Sequence, residues 1–185
     1  KDAPTIKLYV DRKSQYVRLC TTTDTEEVLY TIRIFKSTAS DMGMKISNPR
    51  ALKAFLTLLG PAPRAVYTEV VEEENELVEA VEGTDPFNGD FNEAIDAFIL
   101  AIVRDPRAKD SVIQAFGDGR SFMKPTEVDV IPHQRRIKEL CNYVDMLPGD
   151  RTDTLSKTER RNIFFNTFPR SWRDAFKITS HNVTT

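Results

Sequence analysis

The chain is poor in the residues on which most enzyme and metal chemistry depends. It holds only two cysteines, Cys20 and Cys141, and two histidines, His133 and His181, in 185 residues. Scattered in this way they offer no Cys/His spacing suited to zinc. Cys20 and Cys141 are expected to stay reduced and partly buried. No apolar run approaches the ~18–20 residues that a membrane-spanning helix needs. Glycine is scarce too, with seven in all. The one Gly-x-Gly, at Gly117 and Gly119, lacks both a preceding buried strand and a third glycine, so it reads as a loop and not as a dinucleotide cradle. Lys and Arg are missing from Ala65 to Val103, where Glu69, Glu72, Glu73, Glu74, Glu76, Glu79, Glu82 and Asp85 accumulate. The first residue is Lys1, which is expected of a piece of a longer precursor or of a trimmed chain.

What is present is the composition of a globular protein: 40% hydrophobic, 29% charged and a net charge of -2. That small net charge conceals an asymmetry, because the acidic middle is followed by a basic end. Arg151, Lys157, Arg160, Arg161, Arg170, Arg173 and Lys177 outnumber Asp153, Glu159 and Asp174 there. Two solvated helix faces would account for it, and so would attraction between the acidic half of one copy and the basic half of another.

The hydrophobic pattern begins with period two. Thr5–Val10 and Gln15–Cys20 flank a plausible turn at Asp11-Arg12-Lys13-Ser14, which predicts a short β-hairpin. From Asp24 the period becomes helical. Asp24 or Thr25 caps a first helix with Glu26 and Glu27 in its first turn and Val28, Ile32 and Phe35 in its stripe, closed at Met42-Gly43. Asn48-Pro49 starts a second, with Leu52, Phe55, Leu56 and Leu59 on one face and Gly60 as a left-handed stop. Pro61-Ala62-Pro63 opens a third, with Ala65, Val66 and Val70 inward, and a loop follows at Gly83–Pro86. Asp90 caps a strongly apolar fourth helix through Phe91, Ile95, Phe98, Ile99 and Ile102, broken at Arg104-Asp105-Pro106.

A short helix from Arg107 to Phe116 comes next. A long one from Val128 to Met146 then places Ile137, Leu140, Cys141 and Val144 together. Ser156–Glu159 forms a capping box with Leu155 in staple position, and Pro169 begins a last helix holding Trp172 and Phe176. Trp172 between Arg170 and Arg173 could stack on a base. Its four-residue spacing from Phe176, however, makes one helix face, and the reading adopted is a buried anchor of the C-terminal core.

The order of these features resembles the capsid region of LTR-retrotransposon and retrovirus-like Gag polyproteins. Four stretches carry the resemblance: Thr23–Phe35, Ala51–Tyr67, Phe122–Gly149 and Leu155–Phe176. Within them Leu58, Gly60, Ala62, Tyr67, Pro125, Leu140, Tyr143, Pro169 and Trp172 take the motif positions. The Gln and Glu of the retroviral major homology region are not evident, Pro132 near the start of the long helix is expected to bend or delay it, and the chain contains no zinc knuckle.

The resemblance implies an all-α, two-lobed capsid-like protein with a short N-terminal hairpin. Residues 1–105 would form the N-terminal lobe and 106–185 the C-terminal lobe. It implies a non-enzymatic structural protein that self-assembles through both lobes into a cytoplasmic shell around RNA. No cofactor, metal, membrane or small-molecule substrate is expected. Arg160, Arg161, Arg170 and Arg173 are the candidate contacts to RNA or to a neighbouring copy. The alternatives are a domesticated Gag-derived adaptor that binds a host partner without forming shells, and a nucleic-acid-binding regulator.

Overall fold

The computed structural model describes residues 5–8, 15–18, 20–43, 49–76, 90–118, 122–150 and 153–181. The expected turn at Asp11–Ser14, the cap at Asn48 and the loop at Gly83–Pro86 lie outside them. The fold is mostly helical. Strands β1 (Thr5–Leu8) and β2 (Gln15–Arg18) pair antiparallel, with Thr5 opposite Arg18 and Leu8 opposite Gln15. Eight helices follow among the described residues: α1 (Thr25–Asp41), α2 (Pro49–Leu56), α3 (Pro61–Glu76), α4 (Phe91–Val103), α5 (Ala108–Asp118), α6 (Val130–Val144), α7 (Lys157–Asn166) and α8 (Arg170–His181). Among these residues no helix is long and apolar enough to cross a membrane. The chain divides into two compact units, residues 1–106 and 107–185.

In the first unit, local chemistry sets the helix ends. Asp24 accepts a hydrogen bond from the Glu27 amide and opens α1, while the Glu27 carboxylate receives the Thr21 amide at 2.9 Å and the Thr22 hydroxyl at 2.7 Å. The first of these bonds satisfies an amide that a helix start leaves without a partner, and the other two tie the preceding segment to the first turn. Asp90 caps α4 through the amides of Asn92 and Glu93, and Arg104 closes it in a left-handed conformation, φ 57°. Asp105-Pro106 then prevents the helix from resuming.

The core of this unit is aromatic. Phe55 of α2 packs edge-on against Phe35, Tyr67, Phe91 and Phe98, with centroids 5.3 to 6.2 Å apart. That geometry places the electropositive edge of one ring against the face of the next. Tyr67, Phe55, Phe91 and Phe98 are fully buried, and burial pushes the Tyr67 hydroxyl pKa well above its ordinary range.

Two expectations need correcting here. Gly60 is not a left-handed stop; of the described glycines only Gly43 has positive φ. Gly60 instead lies against backbone, donating to the Cys20 carbonyl at 2.7 Å while the Cys20 amide donates to Leu58. A Cβ there would come within 3.1 Å of the Cys20 oxygen and 3.2 Å of Thr21 Cα. Ala65 is exposed, and the inward face of α3 is carried by Pro63, Tyr67, Val70 and Val71.

The second unit has a smaller core of Phe116, Ile137, Cys141, Val144, Leu155 and Ile163, with Val112, Ile113, Phe122, Leu140 and Phe164 packed against it. α5 runs through Gly117 to Asp118, past the end that the glycines predict. α6 begins at Val130, two residues later than expected, and runs unbroken through Pro132, which falls in the first turn, where its missing N–H has no intrahelical acceptor to lose. Ser156 and Glu159 complete a reciprocal capping box at the start of α7, with Leu155 buried beside it.

Candidate functional site

The two buried thiols, Cys20 and Cys141, are held protonated. Burial, together with nearby Glu27, pushes the Cys20 thiol pKa up to about 11, and burial also raises that of Cys141. Both are free thiols, and a thiol that stays protonated is a poor nucleophile. No group of three or more His, Cys, Asp or Glu side chains among the described residues is arranged to hold a metal ion.

The feature that stands out is on the outer side of α7 and α8. Trp172 and Phe176 are 56% and 55% exposed, which overturns the reading of Trp172 as a core anchor. Their four-residue spacing does put them on one helix face. That face, however, rests on the rings of α7's C-terminal turn and not on the core. Trp172 stacks on Phe168 at 6.0 Å with the planes 14° apart, and Phe176 meets Phe165 at 5.7 Å. The core of the unit is reached from the other side of α7, through the buried Ile163.

His133 near the start of α6 holds this aromatic corner. It is buried, 6.1 Å from the Phe164 ring and 6.0 Å from the Phe168 ring. Its Nε2 lies 2.8 Å from the Thr167 hydroxyl, which itself donates to the Phe164 carbonyl at 2.6 Å. With that hydroxyl proton committed, Nε2 must carry the hydrogen and donate. The Lys124 amide donates to the Thr167 carbonyl at 2.8 Å. Burial, and then the charge of Lys124, lower the His133 pKa and keep the ring neutral.

Two grooves meet along this face. One, of about 510 Å³, has a floor of Ile137, Cys141 and Phe164 and a rim that includes Arg135, Lys138, Lys157 and Arg161. The other, of about 650 Å³, is lined by Phe164, Phe165, Phe168, Trp172 and Phe176, with Arg161, Arg173 and Lys177. They share Arg161 and Phe164, and no Asp or Glu among the described residues lines either one.

The four candidate contact arginines therefore have different fates. Arg161 is exposed and central. Arg173 lines the second groove, with one terminal nitrogen 3.4 Å from Asn166 Oδ1 and its Nε buried without an acceptor among the described residues. Arg170 is exposed and forms a loose pair with Asp174 at 3.7 Å. Arg160 departs from the expectation. Its guanidinium is engaged by Asp145, by Asn142 Oδ1 at 2.7 Å and by the Leu155 carbonyl at 3.0 Å. Asp145 in turn accepts the Leu155 amide at 2.7 Å, so Arg160 fastens α7 to the end of α6.

Of the motif positions, Leu58, Tyr67 and Tyr143 are buried, Leu140 and Pro169 half-buried, and Ala62 and Pro125 exposed. Arg135, Lys138 and Lys157 did not emerge from the sequence as contact residues. The available signal was their spacing: Arg135 and Lys138 are three apart on α6, and Lys157 and Arg161 are four apart on α7.

The two units also differ in charge. Residues 1–106 carry 12 Lys and Arg against 18 Asp and Glu, a net of -6; residues 107–185 carry 14 against 10, a net of +4. No protein-family model, curated protein or solved structure matches this chain.

Proposed function

We propose that this chain is a structural assembly protein of the Gag capsid type, a non-enzymatic protein whose two helical units associate between copies into a shell around RNA. The observation that carries the reading is the pairing of two self-contained helical cores with opposite net charges, -6 and +4. A chain built in this way attracts copies of itself, acidic unit to basic unit, and a head-to-tail contact of this kind closes into rings or propagates. The four ordered motif stretches support the capsid reading from the sequence side.

The test is electron microscopy of the purified protein together with light scattering across a salt series. Rings, tubes or closed particles are expected at low salt, and they should dissociate near 1 M salt, where the Debye length is ~3 Å. A protein that stays monomeric at high concentration under every condition overturns the assembly reading. The exposed aromatic groove on α7 and α8 favours a second reading, a Gag-derived adaptor that docks a host partner and forms no shell. Discrete dimers without particles are its expected outcome.

A further inference from the structure

We propose that the α7–α8 face binds single-stranded RNA, with bases stacked on Trp172 and Phe176 and phosphates held by the cations of the two adjoining grooves. The inference rests on the assembly reading only for taking RNA as the ligand; the chemistry of the face argues independently for a polyanion with flat rings.

Three observations converge on it. The first is the state of the rings. Phe168 backs one side of Trp172 in a near-parallel stack, yet more than half of the tryptophan remains accessible, so a planar group can continue the stack. Aromatic rings presented in this way take any base, because every base has a π-face.

The second is charge. Among the described residues, seven Lys and Arg and no carboxylate line the two grooves. Arg160 is engaged within the unit, but Arg161 stands where the grooves meet, flanked by Lys157 and Arg135. Lys157 and Arg161, like Arg173 and Lys177, are one turn apart, ~6 Å along the helix, on the scale of one nucleotide step of an extended strand.

The third is the Arg173 guanidinium. It lines the aromatic groove, and one terminal nitrogen makes only a long 3.4 Å bond to Asn166 Oδ1, so the terminal N–H groups have donor capacity for a phosphate oxygen.

Other occupants fit less well. An apolar helix covering the rings would bury Arg161 and Arg173 without counter-charge, which is unfavourable. An acidic peptide would satisfy the cations but has no flat group for the open indole. Duplex RNA keeps its bases stacked on one another and out of reach of a side-chain ring.

Trp172 is the only tryptophan in the chain, so its fluorescence reports on the site directly. The chain of residues 1–185 is titrated with single-stranded oligouridylate and oligoadenylate, duplex RNA and polyglutamate. Expected are quenching by the single strands, weaker binding of the duplex and no quenching by polyglutamate. The logarithm of the affinity should fall with that of salt with a slope of about -3, for roughly four phosphates engaged. Trp172→Ala should lose about tenfold in affinity by filter binding with its helical circular dichroism intact. The Lys157→Gln, Arg161→Gln double variant should retain quenching at low salt but lower the salt slope by about 1–2.

Single-stranded RNA that leaves the fluorescence unchanged and binds Trp172→Ala as tightly as wild type overturns the proposal. So does polyglutamate binding with equal quenching and affinity, which would assign the face to an acidic protein. Particles that form in the microscope without any RNA affinity refute this inference and leave the assembly reading standing. RNA binding by a protein that never assembles does the reverse.

Discussion

Trp172 and Phe55 are both aromatic residues on helices, and the difference between them is how much of each ring is removed from water. Phe55 has no exposed surface and touches four other rings, whereas Trp172 is 56% exposed with one stacked neighbour. Phe55→Ala is expected to cost about 3–5 kcal/mol through lost burial and an unfilled cavity. Trp172→Ala should cost no more than about 1 kcal/mol, as for a ring that loses a single aromatic contact. Urea denaturation of the two variants checks the contrast, and equal losses would put Trp172 in the core after all. Gly60 belongs to the same scale. Its requirement is space beside the Cys20 and Thr21 backbone, and nothing in the letters around Gly60 distinguishes that from a helix stop.

At the scale of elements, the consequential joint is that of α6 with the α7–α8 turn, where His133 donates to Thr167 between two phenylalanine rings. The neutral imidazole is the form that this buried site accepts, and its folded pKa lies below the ordinary value near 6.5. The unfolded chain therefore binds the proton first as pH falls. The stability that the neutral ring contributes is complete above about pH 6.5 and is lost as pH drops from there towards the depressed folded value. Thermal melts between pH 7.5 and 5 should show wild type losing more stability over this window than His133→Gln, which keeps a donor and does not titrate. Parallel curves for the two proteins would remove His133 as the cause. Because His133 holds Phe164 and Phe168, the same protonation should loosen the platform under Trp172.

At the scale of the whole molecule, each unit contains its own buried cluster and its own capped helices, and Asp105-Pro106 lies where the chain passes from one to the other. A unit that buries its own core should fold independently. Residues 107–185 expressed alone are thus expected to keep their helical circular dichroism and to unfold in one cooperative step. A broad, non-cooperative melt would mean that the second unit's core is insufficient by itself. The opposite charges of the units belong to this scale too, since they bear on how copies meet and not on how either unit folds.

Helix starts were legible from the sequence. Asp24, Asp90 and Ser156 cap α1, α4 and α7 as expected because a cap is an interaction between residues two or three apart, fully specified by neighbours in the chain. Pro132 was harder to read, because its effect depends on whether it falls in the first turn or later. The apolar faces of α2, α4 and α6 were legible through their period: Leu52, Phe55, Phe91, Ile95, Phe98, Ile99, Ile137, Cys141 and Val144 are buried, while Leu56, Ile102 and Leu140 on the same faces are half-buried.

The candidate site was only half visible. The Arg161 and Trp172 neighbourhood announced itself by residue type, while Arg160, one position away, turned inward to Asp145 on another helix. Spacing of four residues establishes that Trp172 and Phe176 share a face; it carries no information about what covers that face. Burial is decided by which elements arrive from elsewhere in the chain, and here α7 brings its own aromatic side to α8 while the core lies beyond it. Sequence alone therefore determined where helices begin and which residues share a side. Only the tertiary structure decided that the side bearing the single tryptophan faces outward, because solvent exposure is a property of the assembled unit.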